Sequence, residues 1–163
     1  MTEPEIDSID AVTDAVLAAS RLLVNVSAQS IALVDDTVTL PQFRLLVILY
    51  TRGTLKLTGL AAILGVNPST ATRSVDRLLA SGTVDRQTNP RSRRETQISL
   101  TPLGTSLVRE VMARRRAEIE RIVTAMPPDT RQGLVAALTA FTDAGGETPA
   151  SVSPYDAGDT DWA

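Results

Sequence analysis

Between residues 58 and 101 the hydrophobic rhythm of the chain changes twice, and few folds accommodate that change. Leu60, Ala61 and Leu64 recur at helical spacing. Gly65 follows, where a helix can end in a left-handed residue without steric cost. Asn67 then suits an N-cap, and Pro68 suits a first helical turn because it lacks the N–H that would be unpaired there. Ala71, Val75 and Leu78 stand at i, i+4 and i+7 with Leu79 alongside, which gives a second helix with one buried face. From 83 to 88 the period becomes two, with Val84 inward and Arg86 outward. It is two again from 97 to 100, with Ile98 and Leu100 inward. The stretch 89–95 between them begins Asn-Pro, a turn signal. Helix, tight turn, helix and β-hairpin in this order make a winged helix-turn-helix.

The polar face of the second helix carries Ser69, Thr70, Arg73, Asp76 and Arg77, with Thr72 at its flank. Such a face fits a major groove. Serine and threonine hydroxyls reach phosphates or base edges, and Arg73 has the planar fork that reads guanine. A surface helix with ordinary polar cover is the plainer alternative. The hairpin adds weight to the first reading. Arg91, Arg93 and Arg94 place three arginines within four residues of its tip. An arginine inserted in a minor groove meets strong negative potential, and its neighbours neutralise phosphates. Here the plainer alternative is a solvated basic turn, with Arg94 paired to Asp76 or Asp85. Arg94 and Asp76 are also the better candidates for an internal brace within a DNA-binding unit. Both segments together point to double-stranded DNA.

The motifs Leu40-Pro41-Gln42-Phe43, Leu60-Ala61-Ala62-Ile63-Leu64-Gly65-Val66, the run 69–78, Gly82, the run 89–94 and the run 98–104 resemble the MarR family of bacterial transcriptional regulators. The resemblance spans roughly residues 39–107 at the level of motifs. It implies winged-helix subunits that form obligate homodimers, usually repressors, often released from a pseudo-palindromic operator by small aromatic or phenolic ligands or by oxidation. It also implies that Ser69, Thr70, Thr72, Arg73 and Arg77 face the major groove, while Arg91, Arg93 and Arg94 belong to the wing. One departure stands out. The family's wing commonly reads Asp-x-Arg-Asp-x-Arg, whereas Asn89 and Ser92 occupy the acidic positions here and Arg91 and Arg94 keep the basic ones. The tip is correspondingly more positive.

Composition narrows the chemistry. The 163 residues contain no cysteine and no histidine. Thiol redox sensing, disulfides, thiolate or imidazole metal sites and Cys–His nucleophiles are thereby excluded. No glycine-rich phosphate loop is present, so an enzyme is not expected and no cofactor is implied. The aromatics number five, too few for base stacking to be the main binding mode. No uninterrupted run of 18 apolar residues occurs, so no membrane span is expected. The acidic N-terminus is unlike a signal peptide, so a cytoplasmic protein is expected.

The net charge of −3 conceals a segregation. Residues 1–36 hold seven acids and one arginine, residues 143–163 five acids and no base, and residues 37–142 fifteen bases against seven acids. The middle is therefore +8, which suits a nucleic-acid-binding body between solubilising ends.

Helices are expected on either side of the winged unit. Ile9, Val12, Val16, Ala19, Leu23 and Val26 form a long stripe over 8–34. A helix from Leu40 to Arg52 is expected to bury Phe43, Val47 and Tyr50. After Thr101 and Pro102 a long helix runs to about Ala125; Arg114, Arg115 and Arg116 on it can pair with Glu110, Glu118 and Glu120, the plainer reading, or counter acidic ligands or phosphates. Pro127-Pro128 stops it, and a last helix over 129–143 carries Leu134, Leu138 and Phe141 on one side. These apolar faces exceed what the small winged unit can cover, so they are expected to pair across a two-fold axis. The expected organisation is thus mainly α with a small β-hairpin wing: an N-terminal dimerisation helix (1–36), a winged helix-turn-helix (37–101), C-terminal dimerisation helices (102–144) and a disordered acidic tail (145–163) holding Trp162. The competing functional reading is a winged-helix protein–protein adaptor that does not bind DNA.

Overall fold

The computed structural model describes residues 8–89 and 92–146, with backbone alone at 89, 93 and 94. Six helices and three short strands follow one another as α1 (Ile9–Ala32), α2 (Leu40–Arg52), β1 (Leu55–Lys56), α3 (Leu57–Leu64), α4 (Pro68–Ala80), β2 (Val84–Asn89), β3 (Ser92–Leu100), α5 (Pro102–Ala125) and α6 (Pro128–Ala144). The result is a mostly helical winged helix-turn-helix with a small antiparallel sheet.

Local chemistry sets most boundaries. Ser8 caps α1, and Thr39 forms a capping box with Gln42 at the start of α2. Asn67 and Thr101 cap α4 and α5, each followed by proline, as their sequences require. The turn between α3 and α4 depends on Gly65, whose φ of 67° lies in the left-handed region. There its N–H and that of Val66 close onto the Ala62 and Ala61 carbonyls.

The core lies between α2, α3, α4, the sheet and the first half of α5. Leu45, Leu46, Leu60, Val75, Ile98 and Val108 are fully buried in it. Ala71, Val75 and Leu78 are the buried face of α4, as their spacing predicts. On α2 the expectation needs correction. Phe43 is buried, but Leu45, Leu46 and Leu49 form the rest of the inner face, while Val47 and Tyr50 are half-buried at its edge.

The sheet also differs from a plain hairpin. Its order is β1-β3-β2, with Leu55 opposite Ile98 and Val84 opposite Leu100. β3 begins at Ser92, so Arg93 and Arg94 belong to a strand rather than to the turn expected over 89–95. Backbone pairing needs no apolar alternation, and the ladder continues through the polar run to an irregularity between Thr88 and Asn89. Arg91, at the tip, lies outside the described residues.

The outer helices are only partly covered. Of α1, Val26, Ser30 and Ile31 are buried, whereas Ile9, Val12, Leu17, Leu22, Leu23 and Val24 face outward. By length and composition alone α1 is apolar enough to cross a membrane. Its last turns, however, are embedded against α5 and α2. No residue of α6 is buried. Tyr155, Trp162 and the rest of the expected acidic tail from residue 147 fall outside the described residues.

Candidate nucleic-acid interface

The face of α4 opposite Ala71, Val75 and Leu78 is open. Ser69, Arg73, Asp76 and Arg77 are exposed, and Thr70 and Thr72 are half-buried at its flanks. The N-terminal turn is ordered by one side chain. Asn67 Oδ1 accepts from the Thr70 N–H at 2.9 Å and from the Ser69 hydroxyl at 2.7 Å. The Thr72 hydroxyl donates back to the Pro68 carbonyl at 2.8 Å, leaving its oxygen lone pairs outward. Arg73 Nη2 stands 3.5 Å from Thr70 Oγ1, a contact too long to hold the guanidinium. The exposed N-terminal turn of a helix also presents backbone N–H groups to an anion.

Arg73 and Arg77 have no acidic partner among the described residues. Asp76 does have a basic one. Arg86 Nη2 of β2 lies 2.9 Å from Asp76 Oδ1, tying the polar face of α4 to the wing. Arg86, the outward residue of the strand nearest α4, thus braces Asp76, while the Arg94 side chain expected in that role lies outside the described residues. On the other side of the sheet Lys56 pairs with Glu95 at 2.8 Å. One ion pair thus ties β2 to α4 and the other ties β1 to β3.

A cavity of about 520 Å³ opens behind α4. Phe43, Val47, Leu64 and Val66 supply apolar wall, Thr70 and Ser74 of α4 supply hydroxyls, and Arg44 and Arg115 supply charge. Arg115 Nε is buried without a hydrogen-bond partner. Thr70 therefore belongs to two surfaces at once. Of the Arg114–Arg116 triplet, Arg114 pairs with Glu110 at 3.2 Å as expected, but Glu118 pairs instead with Arg121 at 2.6 Å. The hydrogen bond from Arg121 holds the Glu118 carboxyl below its ordinary range. Neither Ser74 nor Arg44 stands out in the sequence, because the cavity is assembled from five separate helices and turns.

Residues 38–96 match the profile of the MarR family. The crystal structure of RV1404 from Mycobacterium tuberculosis is 54% identical in sequence, covers 90% of this chain and 99% of its own, and superposes with a TM-score of 0.80. The chain belongs to the MarR family. A curated relative, the uncharacterized HTH-type transcriptional regulator YfiV of Bacillus subtilis (strain 168), is 28% identical over 101 residues, 62% of this chain. The match spans 63% of that relative's length. A mutant MarR from E. coli complexed with operator DNA is 18% identical, covers 85% of this chain and 99% of its own, and has a TM-score of 0.62. At that identity the likeness is one of fold. Within the MarR fold, α4 is the second helix of the helix-turn-helix and the β2–β3 hairpin is the wing.

Proposed function

We propose that this chain is a homodimeric transcriptional regulator that binds double-stranded DNA at a pseudo-palindromic operator, a repressor released by a small-molecule ligand. The observation that carries the DNA reading is the open polar face of α4, with Arg73 and Arg77 exposed beside a wing that Asp76–Arg86 ties to it. The operator-bound form of a protein with the same fold supports it. Ser69, Thr70, Thr72, Arg73 and Arg77 take the major groove, and Arg91, Arg93 and Arg94 take the wing contacts. Residues 1–36 and 102–144 hold the dimerisation helices, and their exposed apolar faces meet across the two-fold axis. That arrangement sets two α4 helices about one DNA turn apart, roughly 34 Å.

The effector reading rests on the cavity behind α4. Its volume falls in the usual range for small-molecule sites, ~300–1,000 Å³. Apolar walls with Arg44 and the unsatisfied Arg115 Nε suit a small aromatic or phenolic acid. Because Thr70 and Ser74 line it, an occupant touches the recognition helix directly. It releases DNA only if it binds the free arrangement more tightly than the bound one.

The test is selection of genomic duplex fragments by the purified protein, followed by affinity against salt. The expected result is one enriched pseudo-palindrome whose log affinity falls with log salt by about 0.9 per phosphate neutralised. Arg73→Ala should cost about 1–3 kcal/mol and relax sequence preference, while Arg91→Ala should reduce the salt slope by about 1. No enriched fragment and no binding at low salt would overturn the reading in favour of a protein-binding adaptor. A panel of small aromatic acids titrated into the operator complex tests the effector. Release that survives Arg115→Met would remove the cavity from the mechanism.

A further inference from the structure

The recognition helix and the long helix α5 pack on different neighbours. α4 lies mainly against α3 and β2, and α5 mainly against α1 and α2. A direct polar link between them is a short junction formed by residues 81–83 and 101–104. Thr83 is 2% exposed, and its N–H and hydroxyl both donate to the Leu78 carbonyl at 3.1 Å, closing the end of α4. Ser81 Oγ stands 2.9 Å from that carbonyl and 2.9 Å from Thr83 Oγ1. On the other side the Thr83 carbonyl accepts from the Thr101 N–H at 3.1 Å. The Thr101 hydroxyl donates to the Gly82 carbonyl at 2.6 Å and accepts from the Gly104 N–H at 3.1 Å, the capping bond of α5. Gly104 is buried, and a Cβ there would overlap the Thr83 carbonyl oxygen. Hydrogen bonds thus run without a break from the last turn of α4 into the first turn of α5, and the two backbones touch where no side chain fits.

We propose that Thr83, Thr101 and Gly104 form a positioning joint that fixes the angle of α4 against α5, and through it the half-site spacing that the dimer accepts on DNA. This rests on the dimeric DNA-binding reading above. The apolar contacts of Ala71, Val75 and Leu78 hold α4 to the body but are non-directional, so they permit tilt. Hydrogen bonds weaken steeply off their axis, so the joint resists it. The geometry amplifies any slack. The joint is at the C-terminal end of α4, whereas Ser69 and Thr70 are at the other end. A helix of 13 residues is about 20 Å long, so a tilt of about 10° moves its far end by about 3.5 Å. That displacement is one base-pair rise, ~3.4 Å. Without the joint, a dimer reading two half-sites no longer distinguishes the right spacing from its neighbours.

The experiment compares the full-length protein on its selected operator and on operators lengthened or shortened by one base pair between half-sites. Wild type is expected to lose about tenfold or more in affinity on the respaced duplexes. Thr101→Ser, which keeps the hydroxyl, should behave as wild type. Thr101→Val and Thr83→Val should reduce the discrimination to about threefold or less, with salt slope and affinity for unrelated duplex unchanged. Wild-type discrimination in Thr101→Val, or equal losses on all duplexes, would overturn the joint. A wild-type chain that binds no duplex would sink the DNA reading itself, and this proposal with it. Should the valine variants fold poorly, the chain's lack of cysteine allows a second measurement without DNA. A spin label at Ser69→Cys reports the distance between the two α4 helices in the dimer. Its distribution should broaden by about 3 Å in Gly104→Ala, the lever displacement above, and an unchanged width would overturn the proposal.

Discussion

α4 and α6 are helices of 13 and 17 residues, each with apolar side chains at helical spacing, yet they end in opposite states. Ala71, Val75 and Leu78 of α4 are all at most 2% exposed, while Val135, Leu138 and Phe141 of α6 are 74%, 52% and 54% exposed. Their ends differ in the same sense. Asn67 caps α4 through its side chain, and Pro127 at the start of α6 supplies no such bond. Periodicity therefore states that a helix has an apolar face but not where the covering surface comes from. α4 is completed inside the chain by α2, α3 and the sheet. No described residue of the subunit buries the face of α6, and a second copy of the chain is the proposed cover.

The sharpest way to break this contrast is to truncate one leucine on each helix. Leu78→Ala should cost about 2–5 kcal/mol, the usual toll for a buried leucine whose site cannot collapse, measured by urea unfolding at fixed protein concentration. Leu138→Ala should cost under about 0.5 kcal/mol in a dilute, dissociated sample, since an exposed side chain has little to lose. Equal costs would mean that α6 is already covered within the subunit. The next effect is on association. Leu138→Asp should weaken self-association by about 2 kcal/mol, close to 30-fold in dissociation constant, as read by sedimentation velocity across a dilution series. A dimer unmoved by this change would place the interface elsewhere. A smaller effect belongs to the cap. Asn67→Ala removes the acceptor for the Thr70 N–H and the Ser69 hydroxyl, and should cost about 1 kcal/mol. Asn67→Asp, which keeps the acceptor, should retain most of it.

The parts of the fold legible in the sequence are those whose cause is local. The caps of α4 and α5, the glycine that turns α3 into α4 and the proline that ends α5 need only neighbouring residues to be read. The inner face of α2 is not legible in this way. Residues 45–49 are apolar without interruption, so the period is saturated and every side of the helix qualifies. The aromatics Phe43 and Tyr50 suggest a face rotated from the one that Leu45, Leu46 and Leu49 bury. β1 is two residues long and cannot show an alternation at all. Asp76 illustrates a third limit. Several arginines lie within reach along the sequence, and only the placement of β2 beside α4 selects Arg86. The polar face of α4 is legible because a helix of known start and buried face has no freedom left in where its other residues point. The cavity behind it draws on α1, α2, α3, α4 and α5 and has no local signal.

The smallest predicted effect concerns Glu118, which lies on the outer helices and again sets them against the closed core. Its carboxyl accepts from Arg121 at 2.6 Å and 3.0 Å, and that hydrogen bonding, with the guanidinium charge added, holds its pKa below the ordinary value. A carboxyl depressed in the folded state stabilises the fold above its unfolded pKa, and the contribution is lost as pH falls through the folded value. The window is therefore acidic, beginning at about pH 4 and extending downward, and neutral pH lies outside it. The pair is exposed to solvent and screened by salt, so its contribution is small compared with any core residue. Glu118→Gln should leave unfolding at neutral pH almost unchanged and should remove one titration from the acid limb, read by following the side-chain carboxyl in an NMR titration of the wild type. It lines a cavity of about 380 Å³ between α1 and α5, where Val26 and Leu33 supply the apolar wall. If a second subunit covers that region, burial raises the carboxyl's pKa while the less screened guanidinium lowers it, and the dimer should titrate differently from the dissociated subunit. Identical titrations in both states would leave α1 and α5 uncovered at this point and restrict the proposed interface to α6 and the first turns of α1.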